Sequence, residues 1–365
     1  MEEQKKPDLW LIVSILGILT IGIIMVYSSS SIWSEYKFDD PWFFAKRQIL
    51  FAAAGLIAMT VLSRIPYYVW HRHAKVILVV CLIFLIAVLI PGVGMVRGGA
   101  RSWIGVGMFS IQPSEFMKLG LILFLARFLS ERQKKMASFQ EGFLPSLALI
   151  LVPFALIMLQ PDLGTGVVMV GTCLVMLFTA GARVSHFMWI AAAGAAGMIG
   201  LIASAPYRIK RITAFLHPWE DPLGAGFQII QSLYAIGPGG LLGLGLGNSM
   251  QKFFYLPEPQ TDFIFAVLAE ELGFLGGLLV LSLFFILLWR GIRTSLYAPD
   301  LFGSLLALGI VGMIAIQVMI NVSVVTGLIP VTGITLPLVS YGGSSLTLTL
   351  AALGLLLSVS RYSAK

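Results

Sequence analysis

Carboxylates are scarce enough in this 365-residue chain to be weighed one at a time: there are 17, against 24 lysines and arginines. Asp262 stands out by position. It ends the run Pro257-Glu258-Pro259-Gln260-Thr261-Asp262 and opens a long apolar stretch, where a carboxylate meets a helix N-terminus while still facing water. Two roles fit that place, a helix N-cap and a proton acceptor at the lipid boundary. The residues alone leave both open.

Two basic groups could meet an anion beside such a carboxylate. Arg97, Arg101 and Lys118 flank the turn Gln112-Pro113-Ser114-Glu115, and Arg208, Lys210 and Arg211 follow Tyr207 closely. Phosphate or pyrophosphate suits either group, and so does plain anchoring by snorkelling side chains. Glu270 and Glu271 fall inside an apolar stretch, where charge is expensive, so they are expected to face the bundle interior. Gln317 and Asn321, four apart, share a helix face suited to interhelical hydrogen bonds. The glycines from Gly237 to Gly247 match no nucleotide-loop spacing and follow no strand, which favours close backbone packing or a flexible outer segment. His71, His73, His186 and His217 are scattered, and Cys81 and Cys173 lie alone in apolar runs; no metal-ligand spacing results.

What must position these groups is a membrane. Hydrophobic residues make up 58% of the chain and charged residues 11%, about half the usual charged share, and the mean hydropathy is +0.94. The formal charge of +7 is spread over loops between apolar runs, where headgroups and orientation account for it, so no nucleic-acid partner is expected. At ~20 residues per crossing, about ten spans emerge: 9–27, 47–63, 74–90, 114–130, 145–160, 164–181, 186–204, 262–289, 303–327 and 343–360. The reading is an all-α polytopic membrane protein forming one domain over residues 1–365.

The Lys and Arg count sets orientation: with the N-terminus inside, 14 of the 24 fall on the cytoplasmic side, and both termini are cytoplasmic. Trp10, Trp70, Trp189 and Trp289 then mark the inner interface, and Trp33, Trp42, Trp103 and Trp219 lie in outer loops. The outer connections 91–113 and 205–261, the latter between spans seven and eight, are the long ones and the expected home of a site. No internal repeat is visible, which weakens a secondary-transporter reading.

Four stretches, in order, resemble the SEDS family (shape, elongation, division and sporulation). They are Arg101 to Lys118, Gln160-Pro161-Asp162-Leu163-Gly164-Thr165, Pro257 to Gly273, and Asn321 to Ser344 with its Ser340-Tyr341-Gly342-Gly343 ending. One departure is Ser323, where the pattern has glycine; its hydroxyl can bond the preceding turn. The resemblance implies a peptidoglycan glycosyltransferase that polymerises lipid II into β-1,4-linked strands outside the membrane. It makes Asp262 the essential acid and matches Arg101, Glu115 and Lys118 to conserved positions. Departing pyrophosphate needs cations, a role expected of Arg101, Lys118, Arg208, Lys210 and Arg211. Gln112, Ser114, Glu115, Glu258, Thr261, Glu270, Glu271, Asn321, Ser340, Tyr341, Gly342 and Gly343 are carried as supporting residues. It further implies undecaprenyl-pyrophosphate-linked glycan and membrane lipid as partners, a class B penicillin-binding protein as transpeptidase, spore cortex as the product, and no certain cofactor beyond an optional divalent cation. A lipid II flippase and a non-catalytic scaffold for the transpeptidase are the competing classes.

Overall fold

The computed structural model describes residues 6–97, 100–106, 109–203, 215–224, 226–253 and 255–363. Each of the ten apolar stretches is a helix: α1 (Leu9–Phe38), α2 (Phe43–Arg64), α3 (Tyr67–Ala87), α4 (Pro113–Glu131), α5 (Leu144–Met158), α6 (Leu163–Thr179), α7 (Val184–Ala203), then α9 (Ile264–Leu296), α10 (Leu301–Val325) and α11 (Gly343–Ser360). A shorter α8 (Phe227–Ile236) lies in the long loop. Among the described residues seven helices are long and apolar enough to cross a membrane. Of the remaining three, α6 and residues 184–196 of α7 form shorter apolar helices, and α4 carries Glu115, Lys118, Arg127 and Glu131. The fold is polytopic and helical.

Local chemistry sets several ends. Asp8, Asp162 and Asp300 cap α1, α6 and α10 by accepting from backbone N–H groups two or three residues on, and Pro113 starts α4, where its missing N–H costs nothing. Small residues let the helices approach, as expected where packing rather than hydrophobicity holds helices together in lipid. Gly55 of α2 lies against Leu350 and Thr347 of α11, Gly120 of α4 against Cys81 of α3, and Gly309 of α10 against Ile122 of α4 and Met176 of α6. Of the seven long apolar helices, α10 and α11 are the most enclosed and α3 the least.

Two features differ from the expected helices and loops. Loop 91–113 contains a three-stranded antiparallel meander, β1 (Met95–Arg97), β2 (Ala100–Val106) and β3 (Phe109–Ile111), with Arg101 opposite Val96 and Ile104 opposite Ile111. Helix α9 breaks at Gly273 (φ 67°, ψ −166°). The glycine run fills that break: Leu244 and Gly245 donate to the carbonyls of Glu270 and Glu271, and Phe274 and Leu275 donate to those of Gly240 and Leu241. A Cβ on Gly243 (φ +79°) would lie 2.2 Å from the Glu271 carbonyl, so the run packs backbone against backbone. Residues 274–296 alone extend ~34 Å at the helical rise, enough to cross a bilayer. Glu270 and Glu271 sit on the short piece of α9 ahead of this break.

Candidate active site

Asp262 lies just before α9, whose cap position is Phe263 with no side-chain cap bond. The N-cap role is not realised. Three main-chain contacts hold this stretch instead. Asn321 on α10 donates its side-chain amide to the carbonyls of Asp262 and Ile334, both at 2.8 Å. Ser340 donates to the Thr261 carbonyl at 2.6 Å and accepts from the Leu336 N–H at 2.8 Å. Tyr341 N–H donates to the Gln260 carbonyl. The segment from Ile334 to Tyr341 thus clasps the start of α9, and Gln48 of α2 donates to the Ser340 carbonyl from behind. Gly22 of α1 fits beneath: a Cβ there would reach within 2.4 Å of the Leu338 carbonyl.

The carboxylate itself is left to its surroundings. Asp262 is half-buried, and its side chain has no hydrogen-bond or ion-pair partner among the described residues. Burial, and then the neighbouring Glu258 charge, push its pKa up from 3.8 to about 6. Gly333 (φ +72°) lies beside it, where an added Cβ would stand 3.7 Å from Oδ2. Glu258 is exposed, and its carboxylate and carbonyl both accept from Thr261 Oγ1 at 3.1 Å. The buried oxygens Gln260 Oε1, Asn321 Oδ1 and Thr332 Oγ1 have no hydrogen-bond partner among the described residues, which leaves acceptors in the segments that hold Asp262.

The other resemblance motifs join the same assembly through Asp162. One of its oxygens caps α6 on Thr165 N–H; the other accepts from Gln112 Nε2 at 2.9 Å and Ser114 Oγ at 3.3 Å. Gly164, two residues on, fits against the Thr332 carbonyl and Ile334. The sheet is tied in by Ser344 Oγ, which donates to the Ser110 carbonyl at 3.2 Å. Gly343 lies against the Phe51 ring, closer than any Cβ could, and Gly342 supplies the extended residue before α11. Tyr341 packs edge-on against Phe44.

The cations divide. Arg101, on β2, is partly exposed and has no ion-pair partner among the described residues. Lys118 is bound to Glu115 at 2.8 Å, with the two side chains 3% and 10% exposed. Its charge is already met, which is a different place from the open pyrophosphate contact expected of it. Arg208, Lys210 and Arg211 lie outside the described residues. No group of three or more His, Cys, Asp or Glu able to hold a metal ion occurs among the described residues.

Glu270 and Glu271 are buried, but with partners the sequence reading did not single out. Glu271 accepts from Lys252 Nζ at 2.9 Å, from Ser28 Oγ of α1 at 2.6 Å and from Ser249 N–H. Glu270 accepts from Ser249 Oγ and from Met250 N–H at 2.8 Å. Lys252 and Glu271 side chains are 2% and 0% exposed. The available signal was chemical: two adjacent carboxylates in an apolar helix need a cation, and Lys252 is the nearest one before them in sequence. Asp162 had a signal too, an acid at the head of an apolar run with two hydrogen-bonding side chains at the head of another.

Comparison with known proteins places this arrangement. The sequence model of the FtsW/RodA/SpoVE family, described as cell cycle protein, matches residues 9–365. The chain is 66% identical to stage V sporulation protein E of Bacillus subtilis (strain 168) over 99% of both chains. It is 44% identical to the probable peptidoglycan glycosyltransferase FtsW of Trichlorobacter lovleyi, over 99% of this chain and 96% of that one. Among solved structures it is similar to a chain of a peptidoglycan synthase complex described as coordinating polymerization and crosslinking (TM-score 0.82, 34% identity, 97% and 98% coverage). It also resembles the rod shape determining protein RodA of Thermus thermophilus (TM-score 0.72, 32% identity, 98% of both chains).

Proposed function

This chain belongs to the SEDS family, the FtsW, RodA and SpoVE proteins, and from that premise we propose that it is a membrane peptidoglycan glycosyltransferase acting in sporulation, with Asp262 as its base. Lipid II is the substrate, an undecaprenyl-pyrophosphate-linked disaccharide whose reacting atoms lie at the outer headgroups. The acceptor sugar's 4-hydroxyl attacks the anomeric carbon of the growing chain. The C–O bond to pyrophosphate breaks, a β-1,4 bond forms with inversion, and Asp262 takes the hydroxyl proton.

The observation that carries this reading is the state of Asp262: held in place by its main chain, its carboxylate without a partner among the described residues, its pKa raised to about 6. A base so tuned is mostly ionised at neutral pH yet still drawn to a proton, which suits general-base catalysis. Arg101 is the described cation free to meet departing pyrophosphate, joined by Arg208, Lys210 and Arg211 of the outer loop. The Lys118–Glu115 pair supports the head of α4. A divalent cation, if bound, would be held by Asp262 and the neighbouring Glu258 and would offset the negative charge of the departing pyrophosphate. Crosslinking belongs to a partner of the class B penicillin-binding type, since the chain carries no transpeptidase motif. The single domain spans residues 1–365, with the site on the extracytoplasmic face.

A flippase needs a polar route through the bundle. The buried carboxylates that could have lined one, Glu270 and Glu271, are consumed by Lys252, Ser249 and Ser28, which favours the polymerase. The test is polymerisation of lipid II by purified protein with its penicillin-binding partner. Asp262→Asn should insert and assemble normally while glycan synthesis falls by roughly 10² or more. Near wild-type strands from the variant would move the base elsewhere.

A further inference from the structure

At the far end of α9 from Asp262, a cavity of about 290 Å³ opens where the starts and ends of three helices meet. Lys6, Asp8 and Trp10 line it from the start of α1, Arg290 and Arg293 from the end of α9, and Ser360 from the end of α11. Three cations and one carboxylate thus line the same cavity. That carboxylate is already spoken for: Asp8 accepts from Trp10 N–H at 2.9 Å and Leu11 N–H at 3.3 Å, and it is ion-paired with Arg290. Lys6 and Arg293 are exposed and have no ion-pair partner among the described residues. Basic residues near a helix C-terminus complement its dipole, and this accounts for Arg293. It does not account for Lys6, which reaches the same cavity from another segment.

We propose that this cavity binds the phosphate headgroup of an anionic phospholipid, in the leaflet on the side away from Asp262. Its size admits a phosphodiester and glycerol but not an acyl chain. Leu9 and Trp10, at the head of α1, are 68% and 58% exposed. They place the rim at the hydrocarbon boundary, where indole rings prefer to sit and acyl chains can run along α1. Basic pockets between helices on a membrane face are a recurring form of headgroup site. A free phosphate would gain nothing from that apolar rim, so the occupant is a lipid.

The full-length protein would be purified in detergent and exposed to equal amounts of phosphatidylglycerol and phosphatidylcholine, with retained lipid read by native mass spectrometry. The wild type should retain phosphatidylglycerol preferentially. Lys6→Gln with Arg293→Gln should lower that preference by roughly tenfold or more, the scale of two basic side chains at an anionic surface. These substitutions leave the Asp8 cap and the Arg290 pair intact, and Arg293→Lys with Lys6 unchanged should keep most of the preference. Arg132→Gln, a basic residue stacked on Phe128 outside this cavity, should change nothing. Equal retention of both lipids by the wild type, or the same preference in the double variant, would overturn the proposal. So would release of phosphatidylglycerol by inorganic phosphate alone at millimolar level, since that would mark a free-phosphate site.

Discussion

The side-chain amide of Asn321 holds the main-chain carbonyl of Asp262 at 2.8 Å and that of Ile334 at the same distance. One residue, 59 positions away in sequence, thereby fixes the approach of the segment from Ile334 to Tyr341 to the carboxylate proposed as base. A buried carbonyl left without its donor costs ~1–3 kcal/mol. Asn321→Ala should therefore loosen the Asp262 turn, cutting lipid II polymerisation by tenfold or more while the protein still inserts. A variant that melts lower yet polymerises at the wild-type rate would make Asn321 purely structural.

The pKa of Asp262 gives a pH profile. The base acts when ionised, so the polymerisation rate should climb with pH to about 6 and level off above it. Glu258→Gln removes a neighbouring negative charge and should move the midpoint down. Stability runs the other way. A carboxyl whose folded pKa lies above its unfolded 3.8 weakens the fold as pH rises from 3.8 to about 6, and the full cost persists above. At neutral pH, Asp262→Asn should melt no lower than wild type, and any advantage should vanish below pH 3.8. A rate independent of pH between 5 and 8 would count against the assignment.

Lys252 and Glu271 form a buried ion pair with hydrogen bonds from Ser28 and Ser249. Removing one partner strands a buried charge, typically at ~3–5 kcal/mol. Lys252→Met should lower the thermal midpoint sharply and speed hydrogen exchange over residues 240–253, because this pair tethers the end of the long loop to α1 and α9. Lys252→Met with Glu271→Met should recover part of the loss. Additive losses in the two single variants would show that the pair is not coupled.

Orientation can be read by cysteine labelling, since Cys81 and Cys173 are buried and silent. Val93→Cys and Leu223→Cys, both at exposed positions, should react with an impermeant maleimide from outside the cell. Lys134→Cys and Tyr297→Cys, exposed as well, should react only after the membrane is opened. The reverse pattern would invert the bundle and move Asp262 away from its proposed substrate.

Much of the fold is local and was therefore legible in the chain. A membrane helix is announced by some twenty apolar residues in a row, so every stretch from Leu9 to Ser360 read as a span is a helix, and the glycine run packs its backbone closely, one of the two roles read for it. Asp262 could be singled out because it ends a long polar loop at the head of an apolar stretch and lies in one of the stretches that resemble the SEDS pattern. What hydropathy could not carry was pairing. The choice of Lys252, Ser249 and Ser28 by Glu271, and of Gln112 and Ser114 by Asp162, rests on contacts between segments up to 243 residues apart. The break at Gly273 was hidden for the same reason: its hydrogen bonds come from Gly240 to Gly245, and only that second backbone makes a non-helical residue tolerable inside an apolar run. Sequence determined which groups were too costly to leave in lipid alone; the tertiary structure decided which neighbour would satisfy each, because a partner is chosen by distance in space and not along the chain.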